Sequence, residues 1–474
     1  MKNFVIFQLD QLASRALRVY GNNDSYTPNI DKLCESGVAA EAAYSPCPLC
    51  QPARAALWSG QYSHRNRVWS NGRAWPITPL DDTFPALGEE FRKAGYKAVH
   101  FGKKHDGGAL RGFECSEERE TRIADEDKRF PFNMDSYADK YTLDEAIKFI
   151  SSYSFDKPLC MVVDFINPHN ICGFVGKNKG PHEPFSGPLP QLPENYEFDD
   201  IINRPTPVKY LCCSHVRQAQ TVGWSDDNFR EYLAAYYYYL SVADRYIGEI
   251  INRLENSKIK GDITYILLSD HGDSMAARGS VTKQVTLYEE VTRVPFIFSG
   301  ALVKSRGIAK GICSTLDLFP TLLSLAGIER PNGLDGVDIS QILTKNTLPK
   351  REYVTSEWFT EWGYTISPGR MIRKDNVKYI RYLEDDGEEL YLLDRDPFEK
   401  HNAAKDEPEL LANMRALLDS YIKDSEDPFY SLPVKADKRW RSHSCGYQNH
   451  RGPTAPEELS SNIAKVNVSL VRNQ

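Results

Sequence analysis

The sequence predicts an α/β protein built on a large mixed, mostly parallel sheet that is sandwiched between helices. Short aliphatic and β-branched runs alternate with longer segments of helical periodicity, which is the pattern of such a sheet. The chain has 474 residues, of which 41% are hydrophobic and 26% are charged. It is therefore long enough for one large domain and a smaller one.

Four segments with this pattern place polar residues directly after an apolar strand. Three of them are "NFVIFQLD", "PLCMVVDFINPH" and "DITYILLSDHGD", and the fourth, "DTFPALGEEFRKAGYKAVHFGKKH", runs as helix, glycine stop, strand and basic loop. In open α/β sheets the ligand crevice lies at the carboxyl ends of the strands. We therefore expect the four strand ends to meet at one site.

The chain changes character at about Arg351. The segment "RMIRKDNVKYIRYLEDDGEELYLLDRDP" predicts antiparallel strands around an Asp-Asp-Gly turn, and "EPELLANMRALLDSYIKD" predicts a helix. We expect a catalytic α/β domain over 1–350, a smaller α+β domain on an antiparallel sheet over 351–430 and an extension over 431–474. We expect this basic and aromatic extension to pack on the crevice rim or to join subunits into a homo-oligomer.

Composition and charge exclude several classes of partner. The formal net charge is -7, from 58 basic and 65 acidic side chains without long like-charge blocks, so bulk electrostatics favour no nucleic acid. No apolar stretch is as long as a membrane span, and Asp10 interrupts the apolar N-terminus before a signal-peptide core forms. Ten irregularly spaced cysteines do not form a dense disulfide framework. We expect a cytoplasmic protein with reduced thiols and no membrane partner.

Two of the cysteines lie three residues apart in "SPCPLCQPARAALWSG". A redox pair would begin a helix at the first cysteine, Cys47, and Pro52 obstructs that geometry after the second, Cys50. A structural zinc site needs two further ligands, and Cys212 and Cys213 are adjacent without a partner pair. Two buried structural cysteines are the remaining interpretation from these residues alone.

The frame "CQPARAALWSG" resembles the signature of type I sulfatases, Cys-x-Pro-Ser/Ala-Arg, in which the cysteine is converted to formylglycine. Cys50 fits it, whereas Cys47 does not, because Leu49 and Gln51 stand where proline and arginine are required. Further elements are similar to the family in the same order, from residue 3 to about 423: "QLDQLASRALRVYGN", "GKKH", "NPHN", "SDHGD", "TKQVTLYEEVTRVPFIFSG", "STLDLFPTLLSLAGI" and "ELYLLDRDPFEKHNAA".

The chain is therefore identified as a member of the type I, formylglycine-dependent sulfatases of the alkaline phosphatase superfamily, and the resemblance implies an alkaline phosphatase-like fold. It also implies one divalent cation, for which oxygen-rich ligation favours Ca²⁺, with Mn²⁺ or Mg²⁺ as alternatives. The expected metal ligands are Asp10, Gln11, residue 50 (Cys50), Asp270 and His271.

Two of these ligands need comment. A carboxylate after a strand, such as Asp10, also fits a helix N-cap. Where many sulfatases carry paired aspartates, this chain has Asp10-Gln11, which resembles choline sulfatases and phosphonate monoester hydrolases. Gln11 either ligates through its amide oxygen or supports the site.

The resemblance further implies the reaction. The hydrated formylglycine at position 50 attacks sulfur in line, the alcohol leaves, and the sulfated hemiacetal then eliminates sulfate and regenerates the aldehyde. Lysines neutralise the sulfuryl oxygens, one histidine protonates the leaving group and another takes the proton of the second hydroxyl. The lysines that neutralise the sulfuryl oxygens are Lys103 and Lys283. His169, together with Lys283, is the expected acid for the leaving group, and His105 is the expected base for the second hydroxyl. Arg54 is expected to orient the charged nucleophile.

Other polar residues near the motifs have weaker claims. His64, His182 and His215 are expected to be hydrogen-bonded surface residues or substrate contacts. Aromatic residues in "VWSNGRAW" and "SEWFTEWGY" suit stacking on a sugar, and equally suit a core. Three residues next to motif positions are expected either to touch the substrate or to shape loops, namely Arg65, Asn71 and Asp106.

The leading hypothesis is a sulfatase that hydrolyses sulfate esters or sulfamates of a glycosaminoglycan-derived saccharide, and that needs a formylglycine-generating maturase as partner. Three alternatives remain open. A phosphonate monoester hydrolase, phosphodiesterase or choline-sulfatase-like enzyme would share the fold and centre. A non-catalytic metal-containing binding protein would keep the fold without maturation. A metal phosphatase would use the Cys50 thiol directly, at a lowered pKa.

Overall fold

The structure, a computed structural model, describes residues 2–71, 80, 82–117, 136–177, 188–196, 204, 205, 208, 221, 224–283, 286–359, 368–383 and 387–432. These residues form a large mixed sheet flanked by helices and a separate antiparallel sheet. The predicted fold class is therefore confirmed, including both the mostly parallel main sheet and the smaller antiparallel one.

Within the described residues the large sheet has nine strands, in the order β4-β3-β5-β1-β6-β8-β2-β7, with β9 paired to β2. The strands on the β4 to β6 side run parallel, and β8 and β7 run antiparallel to their neighbours. The strands are β1 (Asn3–Leu9), β2 (Val38–Tyr44), β3 (Lys97–Gly102), β4 (Glu114–Cys115), β5 (Leu159–Phe165), β6 (Ile263–Ser269), β7 (Arg293–Val294), β8 (Phe296–Gly300) and β9 (Gly307–Ser314).

Helices cover both faces of this sheet. In chain order they are α1 (Pro28–Glu35), α2 (Cys50–Ser59), α3 (Ser63–Asn66), α4 (Leu87–Lys93), α5 (Ser136–Ser152), α6 (Ile171–Lys177), α7 (Asp226–Glu255), α8 (Glu289–Thr292), α9 (Leu318–Ala326) and α10 (Ile342–Lys345).

Strand β1 shows how the layers are made. All seven of its residues are buried, as expected for a parallel strand covered on both faces. Val5 and Phe7 pack into the core on the α5 and α7 side, whereas Phe4 and Ile6 pack into the core on the α2, α4 and α9 side. Because successive side chains of a strand point to opposite faces, this alternation places one helical layer on each face.

Helix α2 carries the cysteine motif. It begins at Cys50 and ends before Gly60, which adopts a left-handed conformation with φ 70°. Pro52 is tolerated because it lies in the first turn, where a backbone N–H has no intrahelical acceptor. The redox interpretation required a helix that begins at Cys47, and the structure places the helix start at Cys50 instead.

The second sheet has the order β10-β11-β12-β13 and is antiparallel throughout. Its strands are β10 (Val354–Trp358), β11 (Gly369–Lys374), β12 (Val377–Tyr382) and β13 (Glu388–Leu392), and α11 (Pro408–Asp424) packs against them. Turn residues 384–386 and most of the extension, 433–474, lie outside the described residues. The predicted domain limits and the role of the extension stay predictions.

Candidate active site

The predicted strand ends meet at the carboxyl edge of the large sheet. Asp10 follows β1, Lys103 follows β3 and Asp270 follows β6. Strands β3, β5, β1 and β6 are neighbours in that order and run parallel, so the polar residues that follow them converge. Helix α2 adds Cys50, whose Sγ lies 3.8 Å from Oδ1 of Asp10.

The four expected metal ligands with carboxylate, thiol or imidazole groups form one cluster. Asp10, Cys50, Asp270 and His271 are all buried, and each offers a ligand atom within 4.8 Å of the others. Two carboxylates and an imidazole are a donor set that divalent cations accept. The cluster therefore fits the metal that the family implies, with residue 50 at its centre.

The tautomer of His271 agrees with a ligand role. Its Nδ1 atom lies 2.9 Å from the carbonyl oxygen of Gly272, which can only accept a hydrogen bond. Nδ1 therefore carries the proton, and Nε2 faces Sγ of Cys50 at 3.0 Å. A backbone carbonyl that fixes the ring in this way is the usual support of a metal-binding histidine.

Arg54 joins the carboxylates of the site to one another. Its guanidinium donates to Oδ2 of Asp270 at 2.9 Å, to Oδ2 of Asp10 at 3.1 Å and to Oδ2 of Asp164. All four side chains are fully buried. Arg54 therefore acts on residue 50 through these carboxylates, since its donated hydrogen bonds go to them and to the backbone of Lys103.

Residue 50 lies in a strongly positive field. Burial alone raises the pKa of the Cys50 thiol, but Lys283, Lys103 and His271 together hold this pKa well below its ordinary value, and a hydrogen bond from His105 adds to the effect. Cys50 is also the first residue of α2, where the helix dipole favours negative charge. The site thus stabilises an anion at residue 50, whichever atom carries it.

Lys283 is in direct contact with residue 50. Its Nζ lies 3.2 Å from Sγ of Cys50 and 3.3 Å from Oε1 of Gln11. The other end of the Gln11 amide, Nε2, donates to Oδ2 of Asp273 at 2.7 Å. The Gln11 amide oxygen therefore lies next to Lys283 inside the site, while its nitrogen points away from residue 50.

The remaining predicted residues also reach this site. Lys103 donates through Nζ to Oδ2 of Asp10, and His105 lies close enough to residue 50 to help lower the pKa of its thiol. Burial lowers the pKa of His169, but Cys172 and Asp10 outweigh it and raise this pKa to about 9. Lys103 and His169 therefore both interact with Asp10, while the catalytic roles predicted for them stay predictions.

Sequence reasoning missed several residues that support the site. Asp164 lies within β5 and binds Arg54, while Asp273 binds Gln11. Two tyrosines of α7 also contact the site, because Tyr232 donates to Asp273 and Tyr236 donates to the backbone oxygen of Gln11. A lone carboxylate inside the apolar run "LCMVVDF" was the available signal for Asp164, since buried charges need partners.

The expectation that His64 lies on the surface or contacts substrate is wrong for its location. His64 is buried, and its Nδ1 donates to Oε1 of Glu357 at 2.6 Å, where the hydroxyl of Tyr421 also donates. The pair joins α3 to strand β10 of the second sheet and thus has a structural place. The other two histidines of that expectation, His182 and His215, lie outside the described residues.

The residues next to the motifs shape loops in this structure. Asn71 accepts from the backbone of Gln51 at 2.8 Å, and Asp106 accepts from the backbone of Leu110 at 2.8 Å. Arg65 pairs with Asp335.

The described aromatic residues of the two aromatic segments pack inward. Trp69 stacks on the buried Phe359 at 5.0 Å between ring centroids, and Trp358 is buried. Trp358 and Phe359 belong to the core, and the partly buried Trp69 packs against it. Trp75, Trp362 and Tyr364 lie outside the described residues.

The fold is alkaline phosphatase-like, and a buried cluster of possible metal ligands lies at the carboxyl edge of its large sheet. A sulfatase family profile matches residues 2–328, and a profile for the C-terminal part of N-sulphoglucosamine sulphohydrolase matches residues 280–425. The chain belongs to the sulfatase family and is a sulfuric ester hydrolase. In the described part of the chain, no helix is long and apolar enough to cross a membrane.

Individual relatives agree with this assignment. A Delta 4,5-hexuronate-2-O-sulfatase of Bacteroides thetaiotaomicron is 43% identical over 467 residues, which cover 96% of each chain. The solved structure of a 2-O glycosaminoglycan sulfatase is 42% identical, with a TM-score of 0.86, and the match covers 96% of this chain and 99% of that one. The phosphonate monoester hydrolase of Agrobacterium radiobacter, at 20% identity and a TM-score of 0.72 over 91% of this chain and 97% of that one, shares the fold.

Proposed function

We propose that this enzyme removes the sulfate group from a sulfated uronate of a glycosaminoglycan-derived saccharide, using residue 50 in its formylglycine form. The observation that carries the proposal is the place of residue 50, which lies among the buried ligand cluster of Asp10, Asp270 and His271 and beside the ammonium of Lys283. The 43% identity to a hexuronate-2-O-sulfatase over nearly the whole chain supports the substrate class.

Two groups complete the proposed centre. As formylglycine, residue 50 supplies a hydrated aldehyde, which provides one hydroxyl to attack sulfur and a second whose deprotonation lets sulfate leave. A divalent cation, for which we propose Ca²⁺, would be held by Asp10, Asp270, His271 and residue 50, with Gln11 as a further ligand or a support, and would add positive charge at the nucleophile. Elemental analysis of the purified protein tests the ion, and a different stoichiometric metal contradicts the choice of calcium.

Two lysines of the site stabilise the negative charge that develops on the sulfuryl group. Negative charge spreads over the sulfuryl oxygens and the leaving oxygen as the S–O bond breaks. Lys283 and Lys103 are positioned to neutralise it, because both donate to atoms of the site, Lys283 to Cys50 and Lys103 to Asp10. Arg54 keeps the carboxylates of Asp10 and Asp270 in place.

Two histidines have the proton-transfer roles. His169, whose protonated form the Asp10 carboxylate stabilises, gives a proton to the leaving alcohol oxygen. His105, which helps to lower the pKa of the thiol at residue 50, takes the proton from its second hydroxyl. The products are the free sugar hydroxyl and sulfate, and residue 50 returns to the aldehyde.

The experiment is a substrate panel on protein made together with a formylglycine-generating enzyme. Released sulfate is measured on disaccharides that carry a single sulfate at the uronate 2-O, glucosamine 6-O or glucosamine N position. We expect turnover of the 2-O-sulfated uronate above all others. Faster hydrolysis of bis(para-nitrophenyl) phosphate or of a phenylphosphonate monoester than of every sulfate ester would contradict the proposal and favour a phosphonate monoester hydrolase or phosphodiesterase.

A further inference from the structure

The side-chain amide of Gln11 lies between two charged groups of opposite sign. Its Nε2 atom donates to Oδ2 of Asp273 at 2.7 Å, and its Oε1 atom accepts from Nζ of Lys283 at 3.3 Å. Gln11 and Asp273 are fully buried, and Lys283 is 5% exposed. Water therefore does not compete for these contacts.

Both neighbours demand the same orientation of this amide. A carboxylate without a proton only accepts hydrogen bonds, and an ammonium only donates them. If the amide were rotated by half a turn, its oxygen would face the oxygen of Asp273 and its NH₂ group would face the ammonium of Lys283. Both hydrogen bonds would be lost inside the protein, where unpaired polar groups are costly.

Asp273 is itself fixed by contacts outside the reacting centre. Its Oδ1 atom accepts from the hydroxyl of Tyr232 at 2.6 Å and from the backbone N–H of Met275 at 2.7 Å. The same hydroxyl accepts from the backbone N–H of Thr282 at 2.7 Å. With Oδ1 occupied twice, Oδ2 is the oxygen that Asp273 presents to Gln11.

The backbone of Gln11 is held separately from its side chain. It has a positive φ of 67°, its N–H donates to Oδ1 of Asp270 at 3.0 Å, and its carbonyl accepts from the hydroxyl of Tyr236 at 2.7 Å. These bonds set the position of the residue in the site. They leave the choice between the two amide orientations to Asp273 and Lys283, together with Sγ of Cys172, which lies 3.6 Å from Oε1 and favours the same orientation.

We propose that Asp273 is a positioning residue that fixes the orientation of the Gln11 amide, so that Oε1 faces the catalytic centre and holds Lys283 against residue 50. The inference rests on the proposed function, in which Lys283 stabilises the transferring sulfuryl group. It assigns to Tyr232 and Asp273 a part in catalysis, although neither hydrogen-bonds residue 50.

The variant Asp273→Asn tests this assignment because it changes one atom. Its Oδ1 still accepts from Tyr232 and from the backbone of Met275, so the new NH₂ group takes the place of Oδ2. That donor draws Oε1 of Gln11 toward position 273 and turns Nε2 toward Lys283. We expect kcat to fall by about ten- to a hundredfold, the usual cost of misplacing one preorganised donor, with a much smaller change in KM.

The double variant Gln11→Glu/Asp273→Asn is designed to restore the hydrogen bonds at both ends of side chain 11. Glutamate presents an oxygen at both ends, so one accepts from the new NH₂ group and the other faces Lys283. The single variant Gln11→Glu places two buried carboxylates against each other, so we expect it to have a low kcat. Asp273→Asn lowers log kcat, and we expect the double variant to recover at least half of that decrease. A merely structural role for Asp273 would not produce this recovery.

The outcomes separate this inference from the proposed function. Wild-type protein with formylglycine at position 50 that hydrolyses no sulfate ester contradicts the proposed function. Active wild type with an unaffected kcat in Asp273→Asn, or with a double variant no faster than the single one, overturns the positioning role. Conversion of residue 50 and the melting temperature are measured for every variant. If Asp273→Asn does not fold, Tyr232→Phe takes its place, because it removes one of the two hydrogen bonds to Oδ1 and leaves only that from the backbone of Met275. An unchanged kcat in Tyr232→Phe overturns the inference.

Discussion

The ammonium of Lys283 lies 3.2 Å from Sγ of Cys50, and both side chains are buried. A lysine in such a place is strongly desolvated, and its charge is balanced by the carboxylates around residue 50 and by any anion on that residue. A sulfate ester brings negative charge to this point. The contact therefore links the local electrostatics of the site to the reaction that we propose.

Replacement of Lys283 by methionine keeps the length of the side chain and removes its charge. We expect kcat/KM for sulfate release to fall by about a hundred- to a thousandfold, because a preorganised cation is lost from the transition state. Lys310→Met is the matched control, since that side chain is 82% exposed and pairs with Glu41 at the surface. Equal rates for both variants would contradict the role of Lys283.

The two neighbouring cysteines are expected to differ completely in function. Cys50→Ala should abolish turnover, because the residue that is converted to the nucleophile is gone. Cys47→Ala should retain turnover and cost about 1–2 kcal/mol of folding free energy for a lost buried sulfur. Cys47 is equally buried and packs in the core beside Leu49. Activity assays and urea unfolding check both variants, and loss of turnover in Cys47→Ala would contradict the assignment.

Arg54 is expected to matter for stability as well as for the site. Arg54→Met leaves the buried carboxylates of Asp10, Asp164 and Asp270 without their shared partner, so we expect a loss of about 3–5 kcal/mol in the free energy of unfolding. Arg65→Met removes a half-exposed pair with Asp335 and should cost about 1 kcal/mol or less. Chemical denaturation of the two variants is the measurement, and similar losses would argue against the buried network.

The pair of His64 and Glu357 predicts a pH dependence of stability. Burial lowers the pKa of His64, but the Glu357 carboxylate outweighs it and raises this pKa above 6.5. A raised folded-state pKa gives stability that is complete below the unfolded value and is lost as pH rises through the folded value. The gap in unfolding free energy between wild type and His64→Gln should therefore be largest below about pH 6.5 and shrink as pH rises above that value.

Urea unfolding at several pH values measures this gap. His401→Gln is the control, because the His401 side chain is 71% exposed beside Asp406 and should contribute little at any pH. A gap for His64→Gln that grows with pH would show that the sign is wrong.

The fold and the centre of the site were predictable from short segments. The strands carry continuous apolar runs, and the residues after them must meet at one edge if the strands are parallel and adjacent. Asp10, Lys103 and Asp270 are therefore together in the structure as in the prediction. The start of α2 at Cys50 also follows from the sequence, because Pro52 is acceptable only near a helix start.

The support of the site was not predictable, because it depends on pairing between distant elements. Asp164 meets Arg54 only because β5 lies beside β1 with Asp164 opposite Gln8. Tyr232 meets Asp273 because the long helix α7 crosses beneath the loop after β6. Strand register and helix placement cannot be predicted from a local sequence pattern. The residues that orient Gln11 and the carboxylates were therefore identified only from the structure.

The central claim is that residue 50 is a formylglycine. Mass spectrometry of the tryptic peptide Leu33 to Arg54, from protein made beside a formylglycine-generating enzyme, tests it most directly. We predict an aldehyde in place of the Cys50 thiol and an unchanged thiol at Cys47 in the same peptide. An unmodified Cys50 in protein that still releases sulfate would contradict the proposed mechanism and favour direct use of the thiol.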